Sequence, residues 1–367
     1  MAISFSQEIK GVYPAYNDSF VTLGSDKEGV YKLGVVTYPS VLFEKEFEVF
    51  SFNGEDFLFN LKEIVKVVFS KYGFDSVDLG EGVFFGSFEG AYLLQKLDFK
   101  IYYEGGVESI SKEFEFYKGV KQIGDFISEN EQRILSFSED GVSNNVTYFE
   151  GFPFSFSVLK VDEGSVLSIK NKNTTGRTPD IEIVETKSFK CVVDDGLNNW
   201  TNKSILPLIT GLNKLELSIN NSFKSNINIT KKVKDSGVYL RWFNGEGEYS
   251  YFLFNEYYKN VSKSNGLGRV YDTDFKNIGD SIGNSRSKGK ETFKSKKVKA
   301  NFNADEYGVL ESLLASPLIQ MYTSEKAFVK GRFIDVDIDG TLNYSNKRGK
   351  NEINLTIELT DSININL

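Results

Sequence analysis

Apolar and polar side chains alternate over much of this chain, and this period of two is the feature that most limits its fold. The alternation is seen in residues 46–52, 238–243 and 353–359. Successive side chains of a β-strand point to opposite faces, so these segments predict strands. Clusters of Gly, Asn, Asp and Ser separate them at short intervals, which is typical of sandwiches and barrels. We therefore predict a mainly β protein built from β-sandwich or barrel domains.

Two short segments have helical spacing instead. Asn60 and Asn303 each precede one of them as a candidate cap, with a Glu three residues later as in a capping box. Pro317 requires the second helix to end before it. These patterns predict two short covering helices, at about 61–71 and 304–315.

The length of the chain suggests two or three domains. We predict an N-terminal β-rich domain with one helix at 1–130, a middle β domain at 131–235 and a C-terminal β domain at 236–367. The segment 262–290 is weakly patterned and contains five glycines and five serines. It predicts a long arm or loop that becomes ordered against a partner.

Histidine is absent from all 367 residues, and cysteine occurs once. This composition excludes Ser-His-Asp and Cys-His catalytic groups and histidine-ligated zinc. The single cysteine, Cys191, alternates in line with Phe189 and Val193, so we predict a core residue and not a reactive thiol. We expect a protein that is not an enzyme, with no catalytic residues and no cofactor.

The net charge of −8 argues against nucleic acid as a partner, because neutralising phosphates requires a surplus of Lys and Arg. The first residues lack the basic and apolar regions of a signal peptide, and nowhere do 18 apolar residues follow one another. We therefore expect no secretory signal and no membrane as a partner.

Two motifs resemble ligand-binding loops but fail on spacing. Residues 335–340 match the first half of an EF-hand loop, yet Asn346 stands where calcium requires a bidentate Glu, and the alternation predicts a strand. Residues 283–290 approach a phosphate-binding loop, but the spacing is one residue too long and Glu291 replaces Ser or Thr. We predict no metal site and no phosphate site.

Paired carboxylates could hydrolyse a glycoside without histidine, but nothing in the sequence places two of them across a cleft. With 51 acidic residues, such pairs arise by chance, and we predict surface charge for each. The pairs are Asp194 and Asp195, Asp272 and Asp274, and Glu246 and Glu248. A basic run over 286–299 favours a solvated strand face, and the leading functional alternative is contact with an acidic neighbouring subunit.

The segment 237–254 combines a hairpin signal, Asn244-Gly245, with large apolar groups on both faces of both strands. Such a hairpin must be covered on both faces, by a second layer of the same chain, by a second subunit or by a glycan. We predict a subunit interface from residues of this hairpin and of the basic run. They are Tyr239, Arg241, Trp242, Phe243, Tyr249, Tyr251, Lys294, Lys296 and Lys297.

Several stretches resemble virion proteins of tailed bacteriophages that infect Bacteroidota: residues 12–20, residues 148–154 and the hairpin just described. Residues 305–322, together with 333–359, resemble the helix-plus-hairpin element of the tail-tube and distal-tail family. In that family, a β-sandwich or barrel with a flanking helix assembles into a ring.

The resemblance implies a non-enzymatic structural subunit of a phage tail, at the tail tip or baseplate, in a ring of identical copies. Its partners would be those copies and other tail or baseplate proteins. It would be made in the host bacterial cytoplasm and found in the virion. The alternative is a host-surface glycan-binding module of the tail that uses Trp200, Trp242 and nearby tyrosines. A third hypothesis is a carboxylate-dependent polysaccharide depolymerase.

Overall fold

The structure, a computed structural model, is mainly β, as predicted. It describes residues 4–24, 29–37, 47–51, 56–70, 85–88, 94–103, 109–120, 126–128, 133–135, 144–161, 163–183, 187–197, 206–271, 285–345, 351–359 and 365–366. Within these residues the chain forms 27 strands and two α-helices.

The chain divides into two compact units. Unit 1 comprises residues 1–232 and 243–250, and unit 2 comprises residues 233–242 and 251–367. The finer division into three domains, 1–130, 131–235 and 236–367, stays a prediction.

Unit 1 contains four sheets within the described residues, and the strands of each follow in the order of hydrogen-bonded neighbours. The first is β1 (Ser4–Gln7), β3 (Phe20–Gly24) and β6 (Phe57–Asn60). The second is β2 (Val12–Pro14), β9 (Ser109–Tyr117), β8 (Leu94–Tyr103), β4 (Gly29–Thr37) and β5 (Phe47–Ser51). The third is β10 (Arg133–Leu135), β12 (Phe154–Val161), β15 (Lys187–Asp194) and β7 (Phe85–Phe88). The fourth is β11 (Asn144–Phe149), β17 (Ser222–Lys232), β16 (Gly211–Ile219), β13 (Val166–Asn171) and β14 (Ile181–Glu182).

Helix α1, Lys62–Ser70, confirms the first predicted helix. Its start is capped because Asn60 Oδ1 accepts the backbone N–H of Lys62 at 3.1 Å. The buried face of α1 and the inward residues of β8 and β9 form one apolar cluster, in which each fully buried side chain contributes about 1.5–3 kcal/mol. The cluster includes Ile64, Val65, Val68, Phe69, Leu97, Phe99, Ile101, Phe114 and Phe116.

Cys191 is a core residue, as predicted. It lies on β15, in register with Phe156 of β12 and Phe85 of β7. Burial of the side chain raises the pKa of its thiol, because the thiolate would lose its hydration.

The main sheet that unit 2 builds has eight strands. Seven follow one another as β19 (Tyr249–Phe254), β18 (Val238–Phe243), β24 (Ile319–Tyr322), β25 (Phe333–Asn343), β26 (Glu352–Leu359), β23 (Gly289–Asn301) and β20 (Tyr257–Gly266). The eighth, β27 (Ile365–Asn366), pairs with β23, and a separate pair joins β21 (Arg269–Tyr271) to β22 (Ser285–Ser287).

The residues that resemble a calcium loop form part of strand β25, as the alternation predicted. Val336 is buried, whereas Asp335, Asp337 and Asp339 are exposed. The three carboxylates therefore line one face of a strand and do not converge on one point.

The second predicted helix is also confirmed. A 3-10 turn at Ala304–Glu306 leads into α2, Tyr307–Ala315, which contacts β25. The backbone N–H of Asn303 donates to Glu306 Oε2 at 2.9 Å, as expected for the predicted capping box. The helix ends at Ser316 in extended backbone, where Pro317 prevents it from continuing.

In the residues that the structure describes, the arm or loop predicted over 262–290 contains paired strands; that it becomes ordered against a partner stays a prediction. Residues up to 266 continue β20, residues from 289 begin β23, and β21 pairs with β22. Cross-strand pairing outweighs the low strand propensity of Gly, Ser and Asn in this segment. Residues 272–284 lie outside the described residues.

Candidate assembly interface

The five aromatic side chains of the predicted interface are buried within the single chain. They are Tyr239, Trp242, Phe243, Tyr249 and Tyr251. Every residue of β19 is buried, and so are five of the six in β18. The hairpin is therefore covered within the single chain, which is one of the three alternatives that the sequence left open. A subunit contact through any of the nine predicted residues stays a prediction.

Arg241 is the half-buried residue of β18, and its contacts lie within unit 2. Its Nε donates to Gln320 Oε1 at 2.7 Å, on the neighbouring strand β24. Its guanidinium carbon lies 3.9 Å from the centre of the Phe333 ring, close enough for a cation–π interaction. The planar guanidinium thus joins three strands of the sheet.

The Asn244-Gly245 signal correctly predicts a hairpin, whose loop runs from Asn244 to Glu248. The loop belongs to unit 1, where the Gly245 carbonyl accepts the Val120 N–H at 2.7 Å. Gly247 has a φ of +88°, and a Cβ on it would lie 1.5 Å from the Lys118 carbonyl oxygen. Glycine is required at 247 because the backbone at 118 passes directly against it.

Two acids of this loop, Glu246 and Glu248, are buried, so the prediction of surface charge is wrong for them. Glu248 Oε1 accepts the Tyr249 N–H at 3.1 Å, and Oε2 accepts the hydroxyl of Ser157. Hydrogen bonds compensate for part of the hydration that a carboxylate loses on burial.

Asp194 is buried as well, at the end of β15, which again corrects the prediction of surface charge. Its Oδ2 accepts the Tyr148 hydroxyl and the Gly151 N–H at 2.9 Å, and its Oδ1 accepts the Gly196 N–H at 2.9 Å. Burial raises the pKa of this carboxyl, and these hydrogen bonds offset the rise only in part. Asp195 is half-buried, whereas Asp272 and Asp274 lie outside the described residues.

The three lysines of the predicted interface differ in exposure. Lys294 is half-buried and Lys297 is exposed. Lys296 is half-buried and forms an ion pair with Glu325. Val298 is buried between Lys297 and Lys299, so the predicted alternation of this strand is confirmed.

Strand β20 is the most exposed long strand that the structure describes. It has ten residues, none of them buried, and its one described neighbour is β23. The pair of strands β20 and β23 is followed by the pair β21 and β22, and we call these four strands the ribbon. Large apolar side chains are exposed along it. They are Tyr257, Tyr258, Leu267, Val270 and Phe293, with Tyr257 at 53% and Phe293 at 45% exposure.

The same region has a charge opposite to that of the rest of the chain. Residues 257–301 contain eleven Lys and Arg against four Asp and Glu, a net charge of +7. Because the whole chain carries −8, the remaining residues carry −15. This edge therefore offers a basic surface to which an acidic partner is electrostatically complementary.

The other candidate sites receive little support. Trp242, proposed for glycan stacking, has no exposed area, and Trp200 lies outside the described residues. Among the described residues, no group of three or more Cys, Asp or Glu could hold a metal ion. Nor does the described part of the chain include a helix long and apolar enough to span a membrane.

Comparison with known proteins adds no relative: no model of a protein family matches the chain, and no curated protein matches its sequence.

Proposed function

We propose that this chain is a non-enzymatic structural subunit of a bacteriophage tail, at the tail tip or baseplate, where it assembles with copies of itself into a ring. The observation that carries the assembly is strand β20, a ten-residue edge without a single buried residue. The assignment to a tail rests on the resemblance of residues 12–20, 148–154, 237–254, 305–322 and 333–359 to phage virion proteins.

An exposed edge of this kind supports assembly because it presents unpaired backbone N–H and C=O groups to any passing strand. Soluble proteins usually shorten or cover such edges. Here the edge is long, and it continues into the pair β21 and β22, which in water is marginally stable at best. A neighbouring subunit would pair the edge and cover its exposed apolar groups.

The hydrogen bonds of two buried acids also support a structural role. Asp194 and Glu248 accept hydrogen bonds from backbone N–H groups and from hydroxyls of unit 1. Their oxygens are occupied in holding the fold together. Histidine, the commonest general acid or base, is absent from the sequence.

Two measurements test the proposal. Size-exclusion chromatography with light scattering, followed by negative-stain imaging, is expected to show a discrete ring of the purified chain. Antibodies against the chain are expected to label the tail tip of purified virions of the phage that encodes it. A chain that stays monomeric at every concentration and is absent from purified virions would overturn the proposal.

A further inference from the structure

One face of the unit 2 sheet is divided between acidic and basic halves. Strands β25, β26, β23 and β20 are neighbours, and the register places Asp339, Thr356, Lys297 and Lys259 in one row across them. The two ends of this row are about 14 Å apart, three strand spacings. Asp339, Lys297 and Lys259 are exposed, because the opposite face of the sheet holds the buried residues. These include Val298, Ala300, Val336, Ile353, Leu355 and Ile357.

Each half of this face contains a directly opposed pair of like charges. Lys259 is in register with Lys297 on β20 and β23, and Asp337 is in register with Glu358 on β25 and β26. Like charges at directly opposite positions destabilise a sheet. None of these four side chains has an ion-pair partner among the described residues. The single chain therefore leaves two unfavourable pairs of opposite sign on one exposed face.

We infer that this face binds the same face of a second copy of the chain, related by a two-fold axis that runs parallel to the strands between β26 and β23. Such an axis exchanges the acidic and basic halves. It lays Lys259 of one copy over Asp339 of the other, and Lys297 over Thr356. Glu358 is then two residues along the same strand from Thr356, about 7 Å away, within reach of a lysine side chain.

Under two-fold symmetry every contact occurs twice. If residue i of one copy contacts residue j of the other, residue j of the first also contacts residue i of the second. Other partners match the face less well. A nucleic acid would meet the carboxylates of β25, and a uniformly acidic protein would leave those same carboxylates uncovered. A second copy of this chain has the same acidic and basic halves, so it can cover each half with the opposite charge.

This inference deepens the proposed function and rests on it, because it names a second surface, besides the β20 edge, through which copies meet. In a tail, such a contact would join two rings face to face or pair subunits before a ring closes.

Charge reversal on each half of the face tests the inference. The variant K259E/K297E replaces two lysines of the basic half by acids, and D339K/E358K replaces two acids of the acidic half by lysines. Each variant alone is expected to lose the contact, with a dissociation constant raised about 100-fold in analytical ultracentrifugation. An equimolar mixture of the two is expected to associate again as a heterodimer, since the acidic face of one then meets the basic face of the other.

The matched control is K234E/K326E, which reverses two exposed lysines elsewhere in unit 2 and is expected to associate like the wild type. Circular dichroism confirms that each variant is folded, and the neutral versions K259Q/K297Q and D339N/E358Q replace any that is not. If the wild type associates while both reversal variants associate equally well, or if the mixture fails to restore the contact, the inference is overturned and the proposed function stands. A wild type that is monomeric at all concentrations overturns both.

Discussion

The indole Nε1 of Trp242 donates a hydrogen bond to Ser312 Oγ at 2.9 Å, although the two residues are separated by 70 positions in the sequence. The bond joins strand β18 to helix α2, and the Trp242 side chain is fully buried. Ser312 Oγ in turn donates to the Val309 carbonyl at 2.7 Å. One hydroxyl thus satisfies a buried indole and a helical carbonyl at the same time.

The S312A variant should therefore lose stability. It leaves the buried Nε1–H of Trp242 without an acceptor, which costs about 1–3 kcal/mol. Urea unfolding followed by tryptophan fluorescence measures the loss. The control, S264A, changes an exposed serine on β20 and should leave the unfolding midpoint unchanged. Equal midpoints for the two variants would show that the bond contributes nothing.

The buried carboxyl of Asp194 should make stability depend on pH. Because burial raises its pKa in the folded state above the unfolded value of 3.8, the folded chain binds the proton more tightly than the unfolded chain. This contribution is therefore fully present below pH 3.8 and is lost as the pH rises through the folded pKa.

The D194N variant removes this titration and one of the acceptors for Tyr148, Gly151 and Gly196, which costs about 1–3 kcal/mol. Urea midpoints measured over the acidic range should show the advantage of the wild type over D194N shrinking as the pH rises. D56N, at an exposed aspartate of unit 1, serves as the control for the loss of one carboxylate. A wild-type advantage that grows with pH would contradict the assigned direction.

Gly247 provides a steric prediction. Alanine there must adopt a φ of +88° and place its Cβ 1.5 Å from the Lys118 carbonyl, so G247A should lose about 3 kcal/mol or more. Gly211 has a φ of +95° but open space where a methyl group would lie, so G211A should lose only the backbone term of about 1–2 kcal/mol. Thermal unfolding of both variants separates the close approach from the backbone conformation. Equal losses would mean that the loop can move away from residue 118.

Shortening the ribbon should weaken assembly without unfolding the chain. Ser262 and Lys294 are directly opposed on β20 and β23, so residues 263–293 can be replaced by an Asn-Gly turn that joins them. We expect a smaller oligomer in light scattering, because the exposed Leu267, Val270 and Phe293 are removed. An unchanged oligomer would assign assembly to other surfaces of the chain.

The strands and both helices could be predicted from the sequence because their signals are local. Alternation places Asp335 and Val336 on opposite faces, and Asn60 with the apolar spacing after it fixes where α1 begins. The strands of the ribbon were missed because Gly, Ser and Asn carry little strand propensity. Their pairing with distant residues, such as Tyr257 with Lys299, decides their conformation.

The buried acids could not be predicted because their environment is assembled from distant segments. Glu248 meets Ser157, which lies 91 residues away, and Asp194 meets Tyr148, which lies 46 residues away. The pair Gly245 and Gly247 was the available signal, since a glycine-rich loop often marks a close backbone approach. The cover of the hairpin was left open for the same reason: its pattern shows that both faces need burial but not what supplies it.

The assignment of residues 243–250 to unit 1, with unit 2 beginning at Val233, has a consequence for how the polypeptide matures during synthesis. A ribosome that has released residue 232 has not yet made the last piece of unit 1. The Gly245 carbonyl that accepts the Val120 N–H reaches that unit only after the first ten residues of the other have emerged. Unit 1 can therefore be completed only after synthesis of unit 2 has begun. A fragment that stops at Lys232 would lack residues 243–250 of unit 1.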